Sequence, residues 1–107
     1  MEYNTRTDSG YKVIELKGEV DLHFSPQARK QILQILKEGS DLMVDLSSVD
    51  YIDSSGVASL VEGYQVSKTK SLKFGLIGVS DAAMQVLQLA RLDKVFPIHN
   101  SIADIKK

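Results

Sequence analysis

The chain has 107 residues, 43% hydrophobic and 25% charged, with Lys+Arg 13 against Asp+Glu 14; this is the make-up of one small globular domain and excludes a disordered or fibrous chain. A net charge of -1 and a pI near 6.1 argue against a nucleic-acid module, whose lysines and arginines would stand in excess on one face. With no cysteine, disulfides, thiolate nucleophiles and thiolate metal sites are all excluded.

The N-terminal stretch MEYNTRTDSG is polar and lacks an apolar signal core. No run approaches the roughly 20 apolar residues that a bilayer-spanning helix needs. A cytoplasmic protein without membrane insertion is therefore expected. The first twenty residues read as two short strands joined at Asp8-Ser9-Gly10, a turn composition with a glycine able to take positive φ. The second strand, Tyr11 to Lys17, interleaves apolar and charged residues, as a sheet covered on one face requires.

A helix follows, with Ser25 as its expected cap, Pro26 at the first helical position and Gly39 just past its end. Ala28, Ile32, Ile35 and Leu36 form one buried stripe, while Arg29, Lys30, Gln34 and Lys37 point outward. Leu42 to Leu46 (LMVDL) is a nearly continuous apolar run, the pattern of a central strand. After Gly56, residues Val57, Leu60, Val61 and Tyr64 repeat at helical spacing to about Lys70. Leu72 to Val79 reads as a strand in which Gly75 and Gly78 mark close backbone approaches. Ser80-Asp81 caps a third helix with the stripe Ala83, Val86, Leu87, Ala90. Val95 to Ile98 forms a brief last strand, with Pro97 at an edge or an ending, and Ser101 opens a tail helix, Ile102 to Lys107. Lys68, Lys70 and Lys73, the densest basic group, read as a solvated turn.

Strands alternating with helices call for an α/β domain with a mixed sheet of four or five strands. In such sheets function sits at the carboxyl ends of strands, in the strand-to-helix loops. Asp53-Ser54-Ser55-Gly56 is in such a loop, and three accounts of it are open. In the first, Ser54 or Ser55 caps the next helix, Asp53 adds a favourable charge at its positive end, and Gly56 permits close packing. In the second, the spare hydroxyl is phosphorylated, adding about -1.5 to -2 charge and expelling a partner that accepted the neutral loop. In the third, the serine is a nucleophile, for which the only bases are His23 and His99, both expected at the surface. The G-x-S-x-G pattern of a nucleophile elbow is absent, as are phosphate-loop and metal-ligand motifs.

Three blocks of sequence, in order, carry a family resemblance: Gly18-Glu19-Val20-Asp21; Val44-Asp45-Leu46-Ser47 leading to Ile52-Asp53-Ser54-Ser55-Gly56; and Leu89-Ala90-Arg91-Leu92-Asp93-Lys94-Val95-Phe96. Together they resemble a STAS domain of the bacterial anti-sigma factor antagonist type, over nearly the whole of residues 1–107. The resemblance implies a STAS fold with about four helices packed mainly on one face of the sheet. It implies a non-catalytic, cofactor-free switch. The unphosphorylated chain, a monomer when free, would bind a serine kinase/anti-sigma factor of the GHKL type or a similar regulator; phosphorylation of Ser54 would release that partner, and a PP2C-like phosphatase would restore binding. Carried over by residue, Ser54 is the phosphoacceptor and Asp53 its preceding acid, Ser55 and Gly56 shape the helix start, and Asp21 contributes to partner contact or is simply a turn residue. Val57 and Leu60 lend an edge to the interface or pack in the core. STAS domains also resemble docking subunits of lipid-type ABC transporters and the tails of anion transporters, where the same loop is an interface without phosphorylation.

Overall fold

The computed structural model describes residues 2–105. Strand β1 (Asn4–Asp8) turns through Ser9 and Gly10 into β2 (Tyr11–Val20), and helix α1 (Ser25–Lys37) follows. Strand β3 (Leu42–Ile52), helix α2 (Ser54–Thr69), strand β4 (Phe74–Ile77) and helix α3 (Asp81–Leu89) come next. Strand β5 (Ile98–His99) and the short α4 (Ile102–Ile105) complete the order. The five strands stand in the sheet in chain order, β1 antiparallel to β2 and every later neighbour parallel.

The pleat divides the core in two. Ile14 and Leu16 of β2, Leu42, Val44 and Leu46 of β3, and Phe74 and Leu76 of β4 point to one face, where α1, α2 and α3 cover them. Val13, Met43 and Ile77 point to the other, where Ile102 of α4 lies against them. Three helices thus share the expected face, while the fourth caps part of the opposite one. The α1 stripe of Ala28, Ile32, Ile35 and Leu36 is buried as its spacing predicts. On α2, Gly63 sits where a Cβ would lie 2.7 Å from the Ile32 side chain, so α1 and α2 cross in close contact.

Strand β3 runs six residues beyond the predicted end at Leu46. Its register against β2 slips twice, between the pairs Glu15↔Asp45 and Lys17↔Ser48 and again between Gly18↔Val49 and Glu19↔Tyr51. Each slip places an extra residue on β3, a bulge that flips the pleat. Inward residues then fall three apart, at Leu46, Val49 and Ile52, and period-two alternation disappears. The first bulge is held by Asp45, whose carboxylate accepts from the Ser47 amide (2.9 Å) and hydroxyl (2.7 Å).

Other boundaries shift for local reasons. Helix α1 has Phe24 rather than Ser25 at its cap position, without a side-chain cap bond; Ser25 lies inside the helix and is buried. Asp21 replaces the missing cap from further back, its carboxylate accepting from the His23 (2.9 Å) and Phe24 (3.1 Å) amides. Ser80 does cap α3, accepting from the Ala83 amide (3.2 Å) while donating to the Val49 carbonyl (2.7 Å). The last strand is Ile98–His99 instead of Val95 to Ile98. Val95 and Phe96 both donate to the Leu92 carbonyl in a tight turn, and pairing with β4 begins only at the Pro97 carbonyl, 2.8 Å from the Leu76 amide. The tail helix is described to Ile105; its predicted last two residues lie outside the described residues. Lys68, Lys70 and Lys73 are exposed; Lys70 and Lys73 lie in the connection between α2 and β4, as expected, while Lys68 belongs to the last turn of α2.

Candidate functional site

The site is built where the carboxyl ends of β2 and β3 meet the start of α2. Asp53 ends the strand in an extended conformation (φ -112°, ψ -171°) and is the N-cap of α2. One of its carboxylate oxygens accepts from the amides of Ser55 (2.9 Å) and Gly56 (3.3 Å) and from the Ser55 hydroxyl (2.5 Å). Its other oxygen accepts from the Leu22 amide at 3.2 Å, across 31 residues of sequence. The cap is therefore the aspartate and neither serine, which corrects the first account of the loop.

These donors stabilise the charged form of Asp53. The Ser55 hydroxyl is the main reason that its carboxyl sits below the usual aspartate range; burial opposes it, and the Gly56, Ser55 and Leu22 amides, each a smaller influence than burial, reinforce the hydroxyl. A carboxyl whose folded pKa is depressed contributes stability above its unfolded value and loses it as pH falls through the folded one. Asparagine caps a helix about as well as aspartate but carries no charge. Any stability advantage of wild type over Asp53→Asn is therefore expected to hold from about pH 6 to about 5 and to shrink as pH falls through about 4 and below. Thermal melts of both proteins across that range check the slope; a gap that widens toward acid contradicts this electrostatic account.

With Asp53 holding the amides and Ser55 bonded to Asp53, the two serines separate. Among the described residues the Ser54 hydroxyl has no intramolecular hydrogen bond, and the residue is exposed on the first turn of α2. Ser55 is half-buried. Gly56 is buried where a Cβ would lie 2.4 Å from the Val20 carbonyl oxygen and 2.7 Å from the Ile52 side chain, so α2 begins hard against the strand ends. Leu60 is completely buried and Val57 nearly so, the core-packing alternative of the two open for these positions: Leu60 offers a partner no side-chain surface in this form. Asp21 is half-buried, and it brings its loop beside Asp53 through Leu22.

Two surfaces flank Ser54. On one side an open groove of about 810 Å³ runs between α2 and α3, lined by Ser54, Ala58, Val61, Val86, Leu89 and Ala90 among others. Leu89, at the last turn of α3, is 86% exposed. On the other side lies a recess lined by Glu19, Asp21, Leu22, His23, Tyr51 and Asp53. Leu22 and Tyr51 are exposed there. The sequence assigned no role to Leu22 or Tyr51, nor to Leu89 beyond its place in the third block of resemblance, since each continues an apolar pattern whose element stops or bulges at that point. His23 lies against Phe24, ring centroids 4.8 Å apart, and neither it nor His99 hydrogen-bonds Ser54 among the described residues.

The model of the STAS domain family matches residues 2–105. The chain belongs to the STAS family. The anti-sigma-B factor antagonist of Listeria monocytogenes is 28% identical over 95 residues, covering 87% of this chain and 82% of its own length. A solved anti-sigma factor antagonist from Mycobacterium paratuberculosis superimposes with a TM-score of 0.82 at 25% identity, over 95% of this chain and 87% of that one. The antagonist SpoIIAA, at 20% identity, superimposes with a TM-score of 0.80 in its unphosphorylated form, over 96% of this STAS domain and 91% of its own chain. Its phosphorylated form from Bacillus gives 0.73 over 97% and 96%. Among the described residues of the STAS domain no helix is long and apolar enough to cross a membrane, and no cluster of ligating side chains could hold a metal ion.

Proposed function

We propose that this STAS domain is an anti-sigma factor antagonist that is switched by phosphorylation of Ser54. The observation that carries the reading is the difference between the two serines. Among the described residues the Ser54 hydroxyl has no partner and the residue is exposed at a helix start, while the Ser55 hydroxyl is bonded to Asp53. A kinase active site must reach the oxygen that it phosphorylates and remove its proton. Ser54 offers such an oxygen, and Ser55 does so only after its bond to Asp53 is broken.

The same geometry states how a phosphate would act. The amides of Ser55 and Gly56, which would otherwise receive an anion at the helix start, are already occupied by Asp53. A phosphate on Ser54 would therefore stand beside a carboxylate with little local compensation, at the rim of an apolar groove. A partner seated over that rim would have to desolvate the dianion. The relatives' names support an anti-sigma factor as that partner, and in this reading it is a GHKL-type kinase, which brings nucleotide and Mg²⁺, with a PP2C-like phosphatase reversing the modification. The domain itself is the substrate and supplies no catalytic group.

Incubation of the purified chain with ATP, Mg²⁺ and an extract of its native cells tests the assignment by intact mass and peptide mapping. One phosphate is expected, on Ser54, and none on Ser54→Ala. Phosphate mapped to Ser55, or no phosphate under conditions that modify other proteins of the extract, overturns it.

A further inference from the structure

We propose that the turn between α3 and β5 is a docking surface for an anionic lipid bilayer, presenting two apolar side chains among cations. The turn lies at the end of the sheet away from Ser54. Phe96 packs against Tyr64 (ring centroids 5.4 Å) and against Phe74 (6.3 Å), the first residue of β4, which pairs with the first residue of β3, whereas Ser54 lies past the far end of β3. Leu89 is 86% exposed at the last turn of α3, and Val95 is 46% exposed.

Cations surround them. Arg91 and Lys94 are exposed in the turn itself, and exposed Lys68 reaches it from α2, its Nζ lying 4.7 Å from the centre of the Tyr64 ring that meets Phe96. Among the described residues none of the three pairs with a carboxylate. Lys70 and Lys73 add charge from the α2–β4 connection. The opposing carboxylates nearby are Asp93, half-buried in the turn, and Asp41, which the Lys73 amide engages at 2.9 Å.

The backbone supplies a second, independent sign. Arg91 has φ 60°, in the left-handed region that glycine enters freely and a residue with a Cβ enters at a cost. It closes α3, with the Arg91 amide donating to the Gln88 carbonyl (3.0 Å) and the Leu92 amide to the Leu87 carbonyl (2.8 Å). Glycine would serve that closure better, and among the described residues the Arg91 side chain has no ion-pair partner within the chain. A side chain kept at such a cost has its use outside the molecule.

The combination selects the occupant. Nucleic acid would pair with the cations but leave Leu89 and Val95 in water. A neutral apolar partner would cover those two and bury the cations unpaired. An acidic protein segment would need a cleft, and the groove that takes in Leu89 does not extend to Val95. An anionic bilayer satisfies both halves, because its headgroups meet the cations while the apolar side chains enter the acyl boundary. The acidic end of the molecule, with Glu19, Asp21 and Asp53, is then held away from the charged surface.

Flotation of the purified chain with vesicles tests the assignment. Vesicles of phosphatidylcholine with about one-third phosphatidylglycerol are expected to carry half of it at about 1 mM accessible lipid, and vesicles of phosphatidylcholine alone to leave it behind. Raising NaCl from about 50 to about 500 mM should weaken binding several-fold. Leu89→Ser and Lys94→Gln are each expected to do the same. Arg91→Gly should also bind several-fold more weakly, yet melt no lower than wild type, because the left-handed turn no longer carries a Cβ. Equal binding to both kinds of vesicle, no binding to about 5 mM anionic lipid, or indifference to all three substitutions overturns the proposal. Displacement from the vesicles by the capped peptide Leu-Glu-Leu-Glu would assign the surface to an acidic segment and overturn it too, as would an Arg91→Gly chain that loses stability along with binding. The phosphate-mapping result is independent of every one of these outcomes.

Discussion

Gly56→Ala is expected to destabilise the domain by about 2 to 4 kcal/mol, lowering the urea midpoint without changing the slope of the transition. The sign is the informative part. Inside a helix, alanine ordinarily gains about 1 kcal/mol over glycine. Here the added methyl would lie 2.4 Å from the Val20 carbonyl oxygen, 2.7 Å from a side-chain carbon of Ile52 and 3.0 Å from one of Val20. The nearest of these is backbone at the end of β2, which cannot swing aside as a flexible side chain would. Relief requires α2 to move away from the sheet, carrying Ser54 with it and stretching the bonds that Asp53 makes to both sides of the site. Loss of partner binding should accompany the loss of stability. A neutral or stabilising result would mean that the close approach of α2 to the strand ends is not a feature of the protein in solution.

Ser54→Asp is expected to weaken binding of the unphosphorylated form's partner by at least about 100-fold, which is 2.7 kcal/mol or more. Ser54→Ala should bind as the unphosphorylated wild type does and resist release by kinase and ATP. Both variants should retain stability to within about 0.5 kcal/mol, because the side chain is exposed and its hydroxyl holds nothing together. That separation of binding from stability makes the experiment specific to a switch. Binding titrations of the two variants, set beside their denaturation midpoints, check it. Equal affinity of Ser54→Asp and wild type would remove the phosphoswitch, and a large loss of stability in either variant would assign Ser54 a structural part instead.

Much of the frame was legible because its signals are local. The apolar stripe of α1 needs only helical periodicity, the first hairpin only Asp8-Ser9-Gly10, and the α3 cap only a serine before the run. The place of the site was also legible, since an Asp-Ser-Ser-Gly segment between a strand and a helix marks a strand's carboxyl end. What escaped was the far half of β3. Two bulges stretch its inward spacing from two residues to three, at Leu46, Val49 and Ile52, and no simple period identifies such a strand. The division of labour in the loop escaped for a different reason. Aspartate and serine both cap helices, and which one does so depends on where β3 delivers the backbone. The exposure of Leu22 and Leu89 depends on where neighbouring elements stop, and a linear pattern that continues through both positions carries no trace of it.

The order of the strands has a consequence for how the molecule comes into being. Each strand is laid beside the one made just before it, so no later strand has to be threaded between two that have already paired. As the chain leaves the ribosome the sheet can grow from one margin only, and the vacant margin at each stage is closed by the next segment to emerge. The last edge to be closed is that of β4, which waits for a two-residue β5 after the whole of α3. Mistakes of assembly, such as pairing with a neighbouring nascent chain, are therefore expected to concentrate at Phe74–Ile77, the short apolar strand that is last to find its cover.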